Sequence, residues 1–172
     1  IGRLVGSEMC IRDSICLESS FCTLFCIFGS KKFYICHMAK KIYVTYCSAE
    51  KNPIEKEIKA IDRYRSERID HVRALAKQDK ADFMILSGKF GLLQPTDLIP
   101  NYDHLLKAFE TTRLSKTVAR QLKSFKGKSI VMHSHWMDRD IHVAPYIETM
   151  TDACEFAKLP FDLVVLDADI PL

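Results

Sequence analysis

The densest run of chemically useful side chains is LSGKFGLLQPTDLIPNYDHLL, residues 86–106. It brings together Ser87, Lys89, Asp97, Tyr102 and Asp103: two hydroxyls, a cation and two carboxylates. Gly88 and Gly91 permit close backbone approach or a positive φ after a buried strand. Pro95, Pro100 and Asp97 shape a rigid turn. The stretch exceeds an ordinary strand-to-helix connection, and long loops in compact domains tend to carry function. The competing reading is a capped connection with no chemistry. Two roles compete for Asp103 in particular. At a helix start its carboxylate would accept backbone N–H bonds. As a general base or nucleophile its charge would matter. We take Asp103 as the candidate catalytic residue, and Ser87, Gly88, Lys89, Gly91 and Tyr102 as candidate ligand contacts.

Two other groups stand near strand ends. In VTYCSAEKN, Cys47, Ser48 and Lys51 follow a strand-like run. Cys47 would be a nucleophile if a base lowered its pKa; otherwise it is a small buried hydrophobe. In HSHWMDRDIH (133–142), His133 and His135 lie two apart, which puts both rings on one side of an extended chain. A metal site would add Asp138 or His142. Spacing fixes no fourth ligand, so a polar pocket wall and a solvated loop anchored by Trp136 are equal alternatives. No metal and no cofactor is assigned.

The elements that must position these groups alternate. KKIYVTYC (40–47), DFMILS (82–87), SIVMHS (129–134) and FDLVVLD (161–167) read as strands. Asn52–Pro53 ends the first strand and opens a helix over 54–79, with apolar steps of three and four interrupted near Tyr64–Arg65. Further helices are expected over about 103–125, stopped by Gly127, and over 141–158, with Pro145 in the first turn. The order is βαβαβαβ. It predicts an α/β, three-layer Rossmann-like domain with a mainly parallel sheet of about four strands. In such sheets ligands sit outside the carboxyl ends of the strands, where all three groups fall.

Three resemblances rest on these residues. The loop S-G-K-F-G-L-L-x-P-x-D-x-I-x-x-Y-D resembles the SxKYGLLxPxxxIxxYD loop of a bacterial and phage family of unknown function, and more distantly that of the YaaA peroxide-stress proteins. Tyr64-Arg65-Ser66-Glu67-Arg68-Ile69 is similar to the same family's Y-T-S-x-x-[FI] element, and VTYCSAEKN to its opening V-S-C-S-x-x-K, with an extra Tyr46. The resemblance covers about 40–106 and adds Tyr64, Ser66, Cys47, Ser48 and Lys51 as ligand contacts. The first strand and helix also look like those of nucleoside deoxyribosyltransferases, which implies a carboxylate nucleophile. Hydroxyls, a cation and a carboxylate suit a ligand with a ring and an anionic group.

The expected function is therefore binding or acting on a nucleotide, nucleobase or nucleic-acid substrate through loop 87–103, with glycosidic-bond chemistry as the reaction. The alternative is a non-catalytic nucleic-acid-binding or oxidative-stress-related module. It would use the basic helix of Lys107, Arg113, Lys116, Arg120, Lys123 and Lys126, with Lys128 just after. Turnover itself and the oligomeric state are left open.

Composition bounds these readings. The 172 residues are 48% apolar and 27% charged with a net charge of +3, ordinary for one globular domain. No apolar run reaches the about 18 residues of a membrane span. Of the 7 cysteines, those at 10, 16, 22, 26 and 36 crowd the first 37 residues. Residues 4–14, LVGSEMCIRDS, look like a translated sequencing adapter from a metagenomic read. A signal peptide fits poorly, because Glu18 and Ser19–Ser20 stand where a basic region belongs. The lone Cys22–Cys26 spacing is not a metal motif. We expect residues 1–37 to be a non-native, poorly packed extension, the domain to be 38–172 with Met38 its start, and the compartment to be the reducing cytoplasm.

Overall fold

A computed structural model describes residues 40–167, 169 and 170. The chain divides into two units at Cys36–His37, and the fold below belongs to the second. The expected extension 1–37 lies outside the described residues.

The β-branched, aromatic run Lys41–Tyr46 forms strand β1, buried from its second residue onward. β3 (Asp82–Ser87) and β6 (Ser129–Ser134) pair with it in parallel on either side, and β7 (Phe161–Val165) pairs in parallel with β6. β4 (Gly91–Leu93) turns back and pairs antiparallel to β3. The result is a mixed α/β fold on a mostly parallel five-stranded sheet, in the order β4-β3-β1-β6-β7. The expected four strands are thus five, because the chain reverses at Gly91, whose φ of +78° suits glycine. A second, two-stranded ladder joins β2 (Ile58–Lys59) to β5 (Leu98–Ile99).

Two expected helices are corrected. The 54–79 helix is a short α1 (Ala60–Arg63) and a longer α2 (Glu67–Gln78), separated by extended backbone at Tyr64 and Ser66. The interrupted periodicity at Tyr64–Arg65 was this break. Asn52–Pro53 opens no helix. Residues 52–57 instead form a loop whose carbonyls Asn52, Ile54 and Lys56 all accept from the Arg63 guanidinium. The 103–125 helix is α3 (Thr111–Leu122), entered through a 3-10 turn at Ala108–Glu110 and left through another at Lys123–Phe125. Residues 101–107 carry no helix, so Asp103 is not a helix cap. Glu110 instead closes the 3-10 turn, its carboxylate accepting the Lys107 N–H at 3.1 Å. α4 (Ala144–Ala157) has Pro145 in its first turn and ends with Lys158 in the left-handed region, φ 54°.

Alternation along β1 divides the core. Ile42 and Val44 pack with Leu114, Val118 and Leu122 of α3 and Met150 and Ala153 of α4. Tyr43 turns the other way, with Val131, to Val72 and Ala76 of α2. Helices therefore cover both faces.

His133 shares the α2 face. Its ring lies 4.6 Å from that of Tyr43, it is 5% exposed, and neither ring nitrogen has a hydrogen-bond partner. Burial, and the nearby His71, push its pKa down to about 4. Unfolding returns it to about 6.5, so between those values the unfolded state binds more protons. Stability should fall as pH drops from about 6.5 toward 4. Melting temperatures across that range should decline, and His133→Phe should flatten the decline; an unchanged slope in the variant would refute this. Arg63 is fully buried and also donates to Ile99 O at 3.3 Å. A lysine keeps the charge but cannot span four carbonyls. Arg63→Lys should therefore lower unfolding free energy by on the order of 2–3 kcal/mol in urea titration, and a loss below about 0.5 kcal/mol would contradict the clamp.

Candidate functional site

β1 leads through α2 to β3 on one side, while β6 lies on its other side, so the carboxyl ends of β1 and β6 open between oppositely directed crossovers. A cavity of about 390 Å³ lies there. Tyr46, Cys47, Arg68 and Tyr146 are its buried lining. Ser48, Glu50, Lys51 and Arg65 border it after β1 and before α2; Asp103, His104 and Leu105 come from the long loop, and Asp140 and His142 from the segment after β6.

Arg68 dominates the electrostatics. It is 1% exposed at the start of α2, and its guanidinium donates to Thr45 Oγ1, Tyr46 O at 2.7 Å and Cys47 O at 3.3 Å. It stacks 3.4 Å from the centre of the Tyr46 ring. Its Nε has no hydrogen-bond partner, and no carboxylate among the described residues is within ion-pair distance. Burial lowers its pKa, opposed by its neighbours Tyr46, Cys47 and Asp140. A buried cation held by neutral hydrogen-bond acceptors places positive charge on the cavity floor, while Glu50, Asp103 and Asp140 stand among its other lining residues.

Beside the cavity runs a chain of hydroxyls. Tyr64 OH hydrogen-bonds Tyr102 OH, which meets Ser87 Oγ at 2.9 Å. Ser87 Oγ also accepts the Lys89 and Phe90 N–H groups, each at 3.2 Å. The ammonium groups of Lys51 and Lys89 stand 5.0 and 5.3 Å from the centre of the Tyr102 ring. Lys51 is fixed there by a backbone bridge to Tyr64. On the cavity wall Cys47 Sγ lies 3.6 Å from Tyr146 OH. Burial first, and Cys47 second, push Tyr102 up to about 12 and Tyr64 and Tyr146 up as well. These phenols stay protonated at neutral pH. They can donate hydrogen bonds to a ligand, and they are poor bases.

The structure thus brings Cys47, Ser48, Lys51 and Asp103 to the cavity, and Tyr64, Ser87, Lys89 and Tyr102 to the adjoining network. Ser66 heads α2 with its hydroxyl buried and unbonded. The two glycines serve packing. A Cβ on Gly88 would stand 2.9 Å from Leu106 Cβ and 3.1 Å from Tyr146 OH; on Gly91 it would meet Gln121 Oε1 at 2.5 Å. His142 reaches the cavity rim, whereas His133 faces α2. Among the described residues no three His, Cys, Asp or Glu side chains are grouped to hold a metal ion.

Sequence reasoning missed Arg68, Tyr146, Tyr46, His104 and Asp140. Arg68 sits among the alternating charges Glu67, Asp70, Arg73 and Lys77 of α2, a pattern more typical of a solvated helix face. Its one signal is position, immediately before the buried Ile69 and four residues after Tyr64. Tyr146 has the spacing of a core residue, which it also is.

No curated protein and no solved structure matches this chain significantly. Residues 42–157 match the profile of a family described as of unknown function, DUF6884. That span takes in β1 through α4 and with them every residue of the cavity. The chain belongs to this family, DUF6884.

Proposed function

We propose that the cavity binds a small ligand joining an aromatic ring to an anionic group, of the nucleotide or nucleobase class. The observation that carries this reading is Arg68: a buried guanidinium without a carboxylate partner, lining a cavity at the carboxyl edge of the sheet. A phosphate or similar anion would supply the missing counter-charge. Tyr46 and Tyr146 offer ring surface, and the rim carboxylates Asp103 and Asp140 suit sugar hydroxyls. The strand arrangement supports a doubly wound, Rossmann-like reading, in which this edge is the ligand crevice. Should the ligand turn over by glycosidic-bond cleavage, Asp103, which lines the cavity where Asp97 does not, is the carboxylate to serve as nucleophile or general base. The likeness of the first strand and helix to nucleoside deoxyribosyltransferases implies a carboxylate nucleophile without indicating which residue. The likeness to peroxide-stress proteins adds no residue to this argument. Two free, buried thiols, Cys47 and Cys154, fit a reducing cytoplasm.

The test is a melting-temperature screen of the chain against nucleosides, nucleoside monophosphates and nucleobases. A ligand at about 100 times its Kd should stabilise the fold by about 2.7 kcal/mol. Monophosphates should raise the melting temperature and parent nucleosides should do so less. No shift with any member of the panel would sink the proposal. Asp103 is exposed and caps no helix, so Asp103→Asn should leave stability within about 0.5 kcal/mol. The same variant should weaken nucleoside-bearing ligands severalfold in the screen; unaltered binding would remove Asp103 from the site.

A further inference from the structure

The outer surface of α3 carries Arg113, Lys116, Arg120 and Lys123, with Lys126 just beyond, all exposed. Among the described residues Lys116, Arg120, Lys123 and Lys126 make no ion pair, and Arg113 reaches only Glu110, at 3.7 Å and 82% exposed. The helix dipole favours cations at a C-terminus, which accounts for Lys123 and Lys126. It disfavours Arg113 in the first turn, where no acid sits, and does not account for Lys116 a turn further on.

α4 runs alongside in regular steps of four residues. Thr111 Oγ1 donates to Glu148 and Ser115 Oγ to Asp152, each at 3.4 Å. Four residues further along each helix stand Ala119 and Phe156, neither of which carries a polar side chain. Phe156 is 56% exposed. Ala119, Phe156, Lys116, Arg120 and Lys123 together line a shallow depression. None of these residues lines the cavity at the sheet edge.

We propose that this depression binds single-stranded nucleic acid, with a base stacked on Phe156 and backbone phosphates against Lys116, Arg120 and Lys123. An uncovered aromatic ring flanked by unpaired cations is the pairing of chemistries that unstacked bases on a phosphate chain require. A duplex keeps its base faces stacked and offers the ring nothing. A lipid surface would ask for a wide apolar face on the helix, whereas Phe156 shares its depression with Lys116, Arg120 and Lys123 and follows Glu155. The proposal does not depend on the cavity ligand.

Anisotropy of a fluorescein-labelled oligothymidine with the full chain tests it. Binding is expected at about 50 mM salt, weakening steeply by about 200 mM. Lys116→Glu/Arg120→Glu should cost at least about tenfold. Phe156→Ala should cost roughly 5- to 100-fold on the single strand and leave binding to duplex DNA unchanged. All three positions are exposed or at the surface, so melting temperatures should hold. Absence of binding at low salt, an unaltered single-strand affinity in Phe156→Ala, or a preference for phosphatidylserine vesicles over the oligonucleotide would each overturn the proposal.

Discussion

Two guanidinium groups without carboxylate partners hold this site together. Arg63 and Arg68 flank the break between α1 and α2, and both are almost wholly removed from water. Arg63 gathers the carbonyls of residues 52, 54 and 56 with that of Ile99, tying the loop after β1 to the end of the long loop after β4. Arg68 does the same for the end of β1, at Tyr46 and Cys47. An arginine can do this because its planar fork presents five donors in fixed directions. Loops lack a ladder of their own, and every buried carbonyl must find a donor. The arginines supply those donors where the sheet ends.

That arrangement has an electrostatic consequence. Neutral carbonyls satisfy the hydrogens of a guanidinium but leave its charge uncancelled. Arg63 spends this charge among backbone dipoles away from the cavity. Arg68 leaves it in the cavity, beside Tyr46, Cys47 and Tyr146. The surrounding phenols are pushed toward their protonated form by burial, so they add donors and no negative charge. Acids are present, but Asp103 is exposed and Asp140 only partly buried. The result is a positive, donor-rich floor under a mixed rim.

Much of the scaffold was legible in the sequence. β1, β3 and β6 fall within a residue of the expected limits, because short runs of β-branched and apolar residues bounded by turn signals leave little choice. β4 was hidden, since Gly91–Leu93 is three residues inside a stretch rich in Gly and Pro. The late start of α3 was hidden too. Asp103 looks like a cap, but residues 101–107 take no helix, and Tyr102 among them bonds to Tyr64 and Ser87. The site was half legible. Ser87, Lys89 and Tyr102 stand out by type and Tyr64 by the family resemblance, and the four meet in space. Arg68 does not stand out, because a buried arginine amid alternating charges looks like a surface one until the loops that cover it are known.

The central claim is that the buried Arg68 guanidinium, which has no ion-pair partner among the described residues, selects an anion-bearing ligand. Calorimetric titration of one nucleoside monophosphate and its parent nucleoside, at low and at high salt, tests it most directly. The account predicts that the monophosphate binds at least about tenfold more tightly, with the margin persisting at high salt, because a buried charge is screened less than a surface one. Equal affinities for the two ligands, or a margin that vanishes with salt, would contradict it.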